Sequence, residues 1–426
     1  MTFLWDPLYS SSILGSCLLC FCAGVMGVIL FLRKRSLLSE ILAHAAYPGF
    51  ALGGIAAAFL ERDLWVCSLC GAVVTALLGC WSLSFFEKRA RSPDAAMSVV
   101  MSGFFAWGLL LASYLQNSNG ALFLEVQKCF FGEVTTILDE HVLVYASLAL
   151  SVILFCYLFY RKLQLHLFDP QYSKTMHLYD WKVEALGAFL LILAVVMGIR
   201  SCGLILVSAM LIAPAAAARL FASSLAAFFV LAGAFALLAG FIGNVLAIKV
   251  VLWNDQGAFF LPPGPLIVLT AGILVIGAHL FAPKGLLVKR LRILSFRART
   301  LQENLLKELY DPERTGGLVA SGSWPLQHIL KPYFLRHMRR EGLISTEKGN
   351  MFLTEEGKKK ALKIIRLHRL WEVYLTERMG VSANLVHPSA EEMEHILTPD
   401  LEKRLDQLLK QPQRDPHNQP IPERFS

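Results

Sequence analysis

Charge is what this sequence has little of. Only 17% of its 426 residues are charged, against 55% apolar, whereas soluble domains carry about a quarter charged. That deficit excludes an ordinary soluble protein and makes a polytopic membrane protein the first candidate. The deficit is uneven: apolar residues concentrate before about residue 283 and most Lys, Arg, Asp and Glu follow it, so at least two unlike parts are present. Cysteine is missing beyond Cys202, as in a reducing cytosol. The pairs Cys17/Cys20 and Cys67/Cys70 lie inside apolar runs with no other ligand close in sequence, which favours packing residues over a zinc or redox site. No G-x-x-x-x-G-K-[ST] occurs, so no P-loop cradles a nucleotide. The opening MTFLWDPLYSSS lacks a basic n-region and a small-residue cleavage site, so the first apolar run is expected to be a retained helix.

What is present is a series of apolar runs. Ile13 to Leu32, Leu37 to Leu60, Trp65 to Phe86, Ala95 to Leu115, Val142 to Tyr160 and Ala222 to Ile248 have the roughly 20 residues that a spanning helix needs. Ala185 to Ile199, Cys202 to Ala218 and Leu266 to Ala282 are shorter, giving eight or nine spans. The basic loops Arg33-Lys34-Arg35, Lys88 to Arg91 and Arg161 to Lys174 fall on one side, the cytoplasmic side by the positive-inside rule. Nine crossings carry the chain to that same side at Ala282. Crossing by only one of the two runs between 185 and 218 would flip this parity. From about residue 300 the pattern becomes that of soluble amphipathic helices, with GLISTEKGNMFLTEEGKKKA reading as two strands around a Lys-Gly-Asn turn, followed by a helix start. Helix, helix and two-stranded wing is the winged-helix order.

Two sets of ionisable residues carry the chemistry. Glu40 and His44 are four apart within a span, hence on one helix face. Ionisable groups inside a membrane are costly and line a polar path or pair with each other. Spacing alone leaves both readings open: a passage for Mn(II), Fe(II) or Zn(II), or a Glu-His hydrogen bond between helices. An intramembrane metal enzyme lacks a nucleophile or second carboxylate at useful spacing. Pro48-Gly49 and Pro214 are read as helix breaks at membrane depth. In the soluble part His368 and Glu372 are four apart, and His387, Glu391, Glu394 and His395 fall within an arc of about 100° of one helix. His387-Pro388 is also a plain helix start.

The first part resembles permeases of the manganese, zinc and iron ABC importer family. The carriers are RKRSLLSEILAHAAYPGFALGG, CFFGEVTTI and GLILVSAMLIAPAAAARLF. The resemblance implies that Glu40 and His44 are the metal-passage pair, with Glu where Asp is common. It implies ATP hydrolysis on a separate ABC ATPase subunit, coupled through Arg219, Leu220 and Phe221. Further implied partners are a periplasmic metal-binding protein, a second permease subunit and the lipid bilayer of the bacterial inner membrane.

The second part resembles the iron- and manganese-dependent repressors of the diphtheria toxin repressor family, through the wing sequence, IIRLHRLWEVYLTERMGV, VHPSAEEMEHIL and DPHNQPIP. It implies one metal site from His368, Glu372 and His387 and another from Glu391, Glu394 and His395, with Glu391 leaning toward Mn(II). It implies DNA contacts from Tyr333, Arg336, Arg339, Arg340 and Lys348. Two departures stand out: Asn304 replaces the family's Met or Asp ligand, and the helix-turn-helix is short and rich in Arg, with few polar base readers. The combination looks like the fused permease-repressors of chlamydial metal importers.

The expected class is an all-α polytopic membrane domain followed by a small winged-helix plus helical metal-binding and dimerisation domain. Its parts are a permease (1–283), a basic linker (284–300) open to processing, a winged helix (301–358), metal-binding helices (359–415) and an extended tail (416–426). The chain is expected to be a non-enzymatic transport component with a cytoplasmic C-terminal domain. That domain either represses import genes or gates transport without touching DNA.

Overall fold

The computed structural model describes residues 7–89, 92–132, 137, 139–175, 180–204, 206–253, 262–310, 318–319, 331–347 and 350–424. It divides into two compact units, Met1–Lys289 and Arg290–Ser426. Unit 1 contains α1 (Pro7–Leu32), α2 (Leu37–Leu60), α3 (Leu64–Glu87), α4 (Pro93–Ser118), α5 (Gly120–Phe131), α6 (Asp139–Leu158), α7 (Tyr160–Phe168) and α8 (Pro170–Thr175). It continues with α9 (Trp181–Cys202), α10 (Val207–Arg219), α11 (Leu225–Trp253) and α12 (Pro263–Phe281). Among the described residues, eight helices are long and apolar enough to cross a membrane: α1 to α4, α6, α9, α11 and the run opening with α12. Helix α10, with thirteen residues, is shorter.

The two ends of this bundle are marked by different contacts. At one end, Arg33 after α1 pairs with Glu184 in the first turn of α9 at 3.0 Å. Phe31 packs edge-on against Phe228 at the start of α11, and Lys284 after α12 donates to the carbonyl of Ala222 at 3.5 Å. At the other end, Trp65 at the start of α3 stacks on His141 at the start of α6, with centroids 4.5 Å apart. There the Arg200 guanidinium, near the end of α9, lies 5.9 Å from the Trp65 ring. Eight long crossings alone would bring the chain out at the second end. The short α10 supplies the missing return. It rises about 20 Å at 1.5 Å per residue, from the turn where Leu204 N–H donates to Cys129 O to the turn before Ala222. Lys284, after the last long span, therefore lies at the same end of the bundle as Ala222 and the Phe31–Phe228 contact. The run expected from Cys202 is reset because Gly203 takes φ +89° and stops α9 there.

The predicted breaks at Pro48 and Pro214 are not breaks: α2 and α10 run through them. Proline removes one helical hydrogen bond, and both residues are buried in the bundle. Helices α2 and α3 instead meet backbone to backbone. A Cβ on Gly49 would lie 2.3 Å from Gly71 O, and one on Gly53 would lie 2.3 Å from Cys67 O. Small residues permit this approach, which is how helices without a hydrophobic drive between them gain packing. A buried Asn244–Ser16 hydrogen bond of 2.6 Å ties α11 to α1.

Unit 2 takes in most of α13 (Leu286–Leu309), then β1 (Leu318–Val319), α14 (Lys331–Arg340), β2 (Ile344–Glu347), β3 (Asn350–Leu353), α15 (Glu355–Glu377), α16 (His387–Met393) and α17 (Pro399–Leu408). The strands form an antiparallel sheet in the order β1-β3-β2, with Ile344 opposite Leu353 and Glu347 opposite Asn350. Helix α15 starts cleanly because the Thr354 hydroxyl accepts from Gly357 N–H and Glu355 and Glu356 occupy its first turn. Leu305, Leu306, Met338, Leu343, Ile344, Met351 and Ala361 make a small core.

The structure adds two details to the expected division. The basic linker is helical from Leu286 onward, because Leu287, Leu291 and Leu294 recur at helical spacing. The tail is pinned to the helices: Arg366 donates to Pro422 O at 2.6 Å, Arg369 to Pro420 O, and Ile421 is buried against Leu370, Val373 and Leu409.

The α2–α3 contact gives a direct test. Gly53→Leu should cost at least about 2 kcal/mol by overpacking, seen as a lower melting temperature and aggregation on size-exclusion chromatography in detergent. Gly103→Leu, where a Cβ meets nothing within 4 Å, should melt like the parent; equal behaviour of the two variants would contradict the close approach.

Candidate metal centre

Four elements of unit 2 converge on a cleft of about 650 Å³ lined by Asn304, Lys307, His368, Glu372, His387 and Glu394, with Asp415 and His417 at its edge. His368 and Glu372 lie one turn apart on α15, whose other face packs Leu370 and Val373 inward. His387 opens α16, held by Pro388 in the first turn. His368 Nε2, Glu372 Oε1 and His387 Nδ1 form a triangle with edges of 3.2, 3.1 and 3.0 Å. Among the described residues, these three are the group of His, Cys, Asp and Glu side chains close enough to hold one ion.

This donor set fits a divalent transition metal. Two imidazoles and one carboxylate suit Mn(II), Fe(II) or Zn(II). Cis ligands of an octahedral ion with bonds of about 2.1 Å sit about 3.0 Å apart, which matches the triangle. His368 and Glu372 are buried, while the His387 side chain is 58% exposed, so the open side faces solvent and leaves room for water ligands.

The other three predicted ligands are regrouped. Glu391 is exposed and lies 3.5 Å from His387 Nε2. Glu394 is buried, bonded to Lys307 Nζ at 2.9 Å and to His368 Nδ1 at 2.5 Å. His395 faces Glu303 at 2.7 Å, and Arg299 holds the same carboxylate at 2.8 Å. The second set expected from Glu391, Glu394 and His395 is therefore not assembled. Helix α16 ends at Met393, and in the turn after it His395 lies 3.7 Å from Glu394 and faces Glu303, whereas Glu391 stays exposed beside His387. Glu303 and Lys307 on α13 were missed; they lie four apart, flanking the Asn304 position already marked in the sequence, and that spacing was the available signal.

In unit 1, Glu40 and His44 are both half-buried on α2. His44 packs edge-on to Phe105 at 4.8 Å. Its Nδ1 is buried with no hydrogen-bond partner, so a Glu40–His44 hydrogen bond is not made through that atom, and a buried unpaired ring nitrogen is available to an ion. Arg219 and Phe221 are exposed at the turn after α10 and Leu220 is half-buried. Arg336, Arg339 and Arg340 project outward from α14, whose Met338 is buried in the unit 2 core. Tyr333 lies on α14 but its side chain is outside the described residues, as are Lys348, Ile329, Leu330 and residues 133–136 of the CFFGEVTTI stretch.

Electrostatics tune the cleft. Burial opposes a charged His368, but hydrogen bonds to Glu372 and Glu394 outweigh it and hold its pKa above the ordinary imidazole value. Burial likewise raises Glu372, yet His368 and His387 pull it below the usual carboxylate range. For the metal-free unit, the raised His368 pKa contributes stability below the ordinary imidazole value, and this is lost as pH rises through the raised one. An ion needs the neutral ring, so its affinity should run the other way. Mn(II) affinity should weaken by up to about tenfold per pH unit as pH falls from about 8 to about 6, with proton release in calorimetry in buffers of different ionisation enthalpy. A flat profile would remove His368 from the ligand set.

Residues 6–282 match the model of the ABC 3 transport family. Residues 354–423 match that of the iron dependent repressor, metal binding and dimerisation domain. A probable metal transport system membrane protein of Chlamydia trachomatis serovar D is 32% identical, over 98% of this chain and 97% of its own length. The manganese transport system membrane protein MntC of Bacillus subtilis is 28% identical over 86% of this chain and 84% of its own. Among solved structures, PsaBC from Streptococcus pneumoniae in complex with Fab aligns with a TM-score of 0.54 at 26% identity, covering 65% of this chain and 92% of that one. With a permease model across almost all of the first unit and a relative spanning both, the chain belongs to the ABC 3 transport family and carries an iron-dependent repressor domain after its metal permease domain.

Proposed function

We propose that this chain is the membrane subunit of an ATP-driven importer of manganese, iron or zinc, and that its C-terminal unit senses the imported ion and represses import genes. The observation that carries the reading is the His368, Glu372 and His387 triangle in a chain whose other unit is a metal permease. On this reading the ion passes Glu40 and His44, while a separate ABC ATPase couples to the turn at Arg219, Leu220 and Phe221. A periplasmic metal-binding protein delivers the ion, and a second permease subunit, a copy or a paralogue, completes the pore.

Lys284, just after the last span, reaches the Ala222 carbonyl at the end of the bundle where Phe31 meets Phe228, and basic residues mark the cytoplasmic side, which supports a cytoplasmic C-terminal unit in a protein of the bacterial inner membrane. We read 1–283 as permease, 284–300 as connector, 301–358 as winged helix and 359–415 as metal-binding and dimerisation region. Sensing in the compartment that receives the ion gives feedback. The exposed Arg336, Arg339 and Arg340 favour a DNA role over a gate that ignores DNA, since cations on one helix neutralise phosphates.

The test is a mobility shift of the full chain in nanodiscs on its own upstream DNA, with Mn(II), Fe(II), Zn(II) or chelator. A metal-dependent, promoter-specific shift is expected, and the R339A/R340A double variant should weaken it on all sequences and flatten its salt dependence by about two phosphate contacts. Binding unchanged in that variant would contradict the DNA role and leave a metal gate. Metal uptake into proteoliposomes with the ATPase should require ATP and fall at least about tenfold in E40A/H44A; uptake that survives would move the path elsewhere.

A further inference from the structure

The two nitrogens of His368 face two different groups. Nε2 meets Glu372 and His387, the metal triangle. Nδ1 meets the carboxylate of Glu394 at 2.5 Å. Beside it stands the Lys307 ammonium, 2.9 and 3.2 Å from the two Glu394 oxygens and 3.2 Å from His368 Nδ1. The Glu394 side chain is 1% exposed and Lys307 27%, so this cation is tethered well inside the cleft. Asn304 and Glu308, from the same helix, line the cleft as well.

Resting on the reading of the triangle as a regulatory metal site, we infer that Lys307 takes the place of a second cation. Each chain then holds one regulatory ion, at His368, Glu372 and His387, and Glu394 orients His368 without ligating metal. Three observations lead there. First, an ion on Nε2 requires the ring proton on Nδ1, and a carboxylate at Nδ1 fixes that tautomer, as carboxylates behind metal-binding histidines commonly do. Second, the Glu394 charge is already answered by an ammonium within hydrogen-bond distance of both its oxygens; a divalent ion would have to displace Lys307 from the carboxylate it answers. Third, charge balance disfavours a pair of ions. One divalent ion and Lys307 face the two buried carboxylates Glu372 and Glu394 across a single imidazole. The third buried carboxylate lining the cleft, Asp415, is already paired with Arg369 at 3.4 Å, so a second ion would crowd in more positive charge without a buried carboxylate left to answer it among the described cleft residues.

The test counts ions in the full chain purified in detergent, so that any ion held by the permease cancels in differences between variants. Wild type should bind one more Mn(II) than H387A. K307R, which keeps the charge, should match wild type. K307E, which supplies a carboxylate in place of the ammonium, should bind one further ion and replace the six-line mononuclear EPR signal with that of a spin-coupled pair. E394Q should lose affinity by about 10- to 100-fold while still binding one regulatory ion. Thermal melting of each variant without metal confirms that the fold is kept. Two regulatory ions in wild type, an unchanged count in folded K307E, or loss of the ion in folded E394Q would overturn the lysine assignment while leaving metal binding intact. Equal counts in wild type and folded H387A would instead remove the underlying metal reading, and the inference with it.

Discussion

A carboxylate removed from water must be answered by a cation or by several donors, and unit 2 is organised around that requirement. Its apolar clusters are small, and the joins between its helices are made largely by buried ion pairs. Glu394 links α16's end to α13 through Lys307 and to α15 through His368. Arg366 ties α15 to α17 through Glu402 at 3.2 Å and Asp406 at 2.6 Å, and to the tail through Pro422 O. Such networks add little net stability compared with apolar packing, but removing one partner strands a buried charge. The cleft is thereby held in one arrangement before any ion arrives, which reduces the reorganisation that binding must overcome.

Unit 1 meets the same requirement differently. Inside a bilayer no water answers a free polar group, so its long helices satisfy their own backbones and pack through glycine and alanine. On the proposed reading, helix α2 is the exception that carries chemistry. It holds Glu40 and His44 on one side while Gly49 and Gly53 lock it against α3. A helix fixed by backbone contact is a rigid support for an ionisable pair, and rigid support is what a selective site needs.

How much of this was legible in the sequence depends on how local each feature is. Apolar run lengths gave the long helices, because a spanning helix needs only consecutive apolar residues. They gave α10 only roughly, as Cys202 to Ala218, because its extent is set by the Gly203 turn and by packing against α1, where a Cβ on Gly27 would lie 1.8 Å from Leu211 O. The prolines were misread because a helix interior that is buried on several sides tolerates the lost hydrogen bond. In the metal centre, four-residue spacing marked His368 with Glu372 and a helical arc marked His387, but grouping those three into one site was only what the family resemblance implied. Lys307 and Glu303 were not marked, because they reach their partners across 61 to 92 residues of chain. Only the docking of α13 brings them in.

On the proposed reading the C-terminal unit senses what the pore carries, and a sensor is useful to a pore only if both recognise the same ions. Glu40 and His44 offer one carboxylate and one imidazole; the unit 2 triangle offers one carboxylate and two imidazoles. Raw affinity for such N/O sites rises along the first-row metals toward copper, so neither site discriminates by donor type alone. Discrimination then falls to geometry and to charge. The three ligand atoms, at about 3.0 Å from one another, favour a six-coordinate ion over a strictly tetrahedral one. On the proposed reading, Lys307 adds a second filter. By holding a positive charge next to the bound ion it lowers the affinity of the site for any cation, which keeps the sensor unloaded until the importer has raised the internal concentration. A tethered ammonium in place of a second metal is thus a means of setting a threshold without altering the ligands that choose the ion.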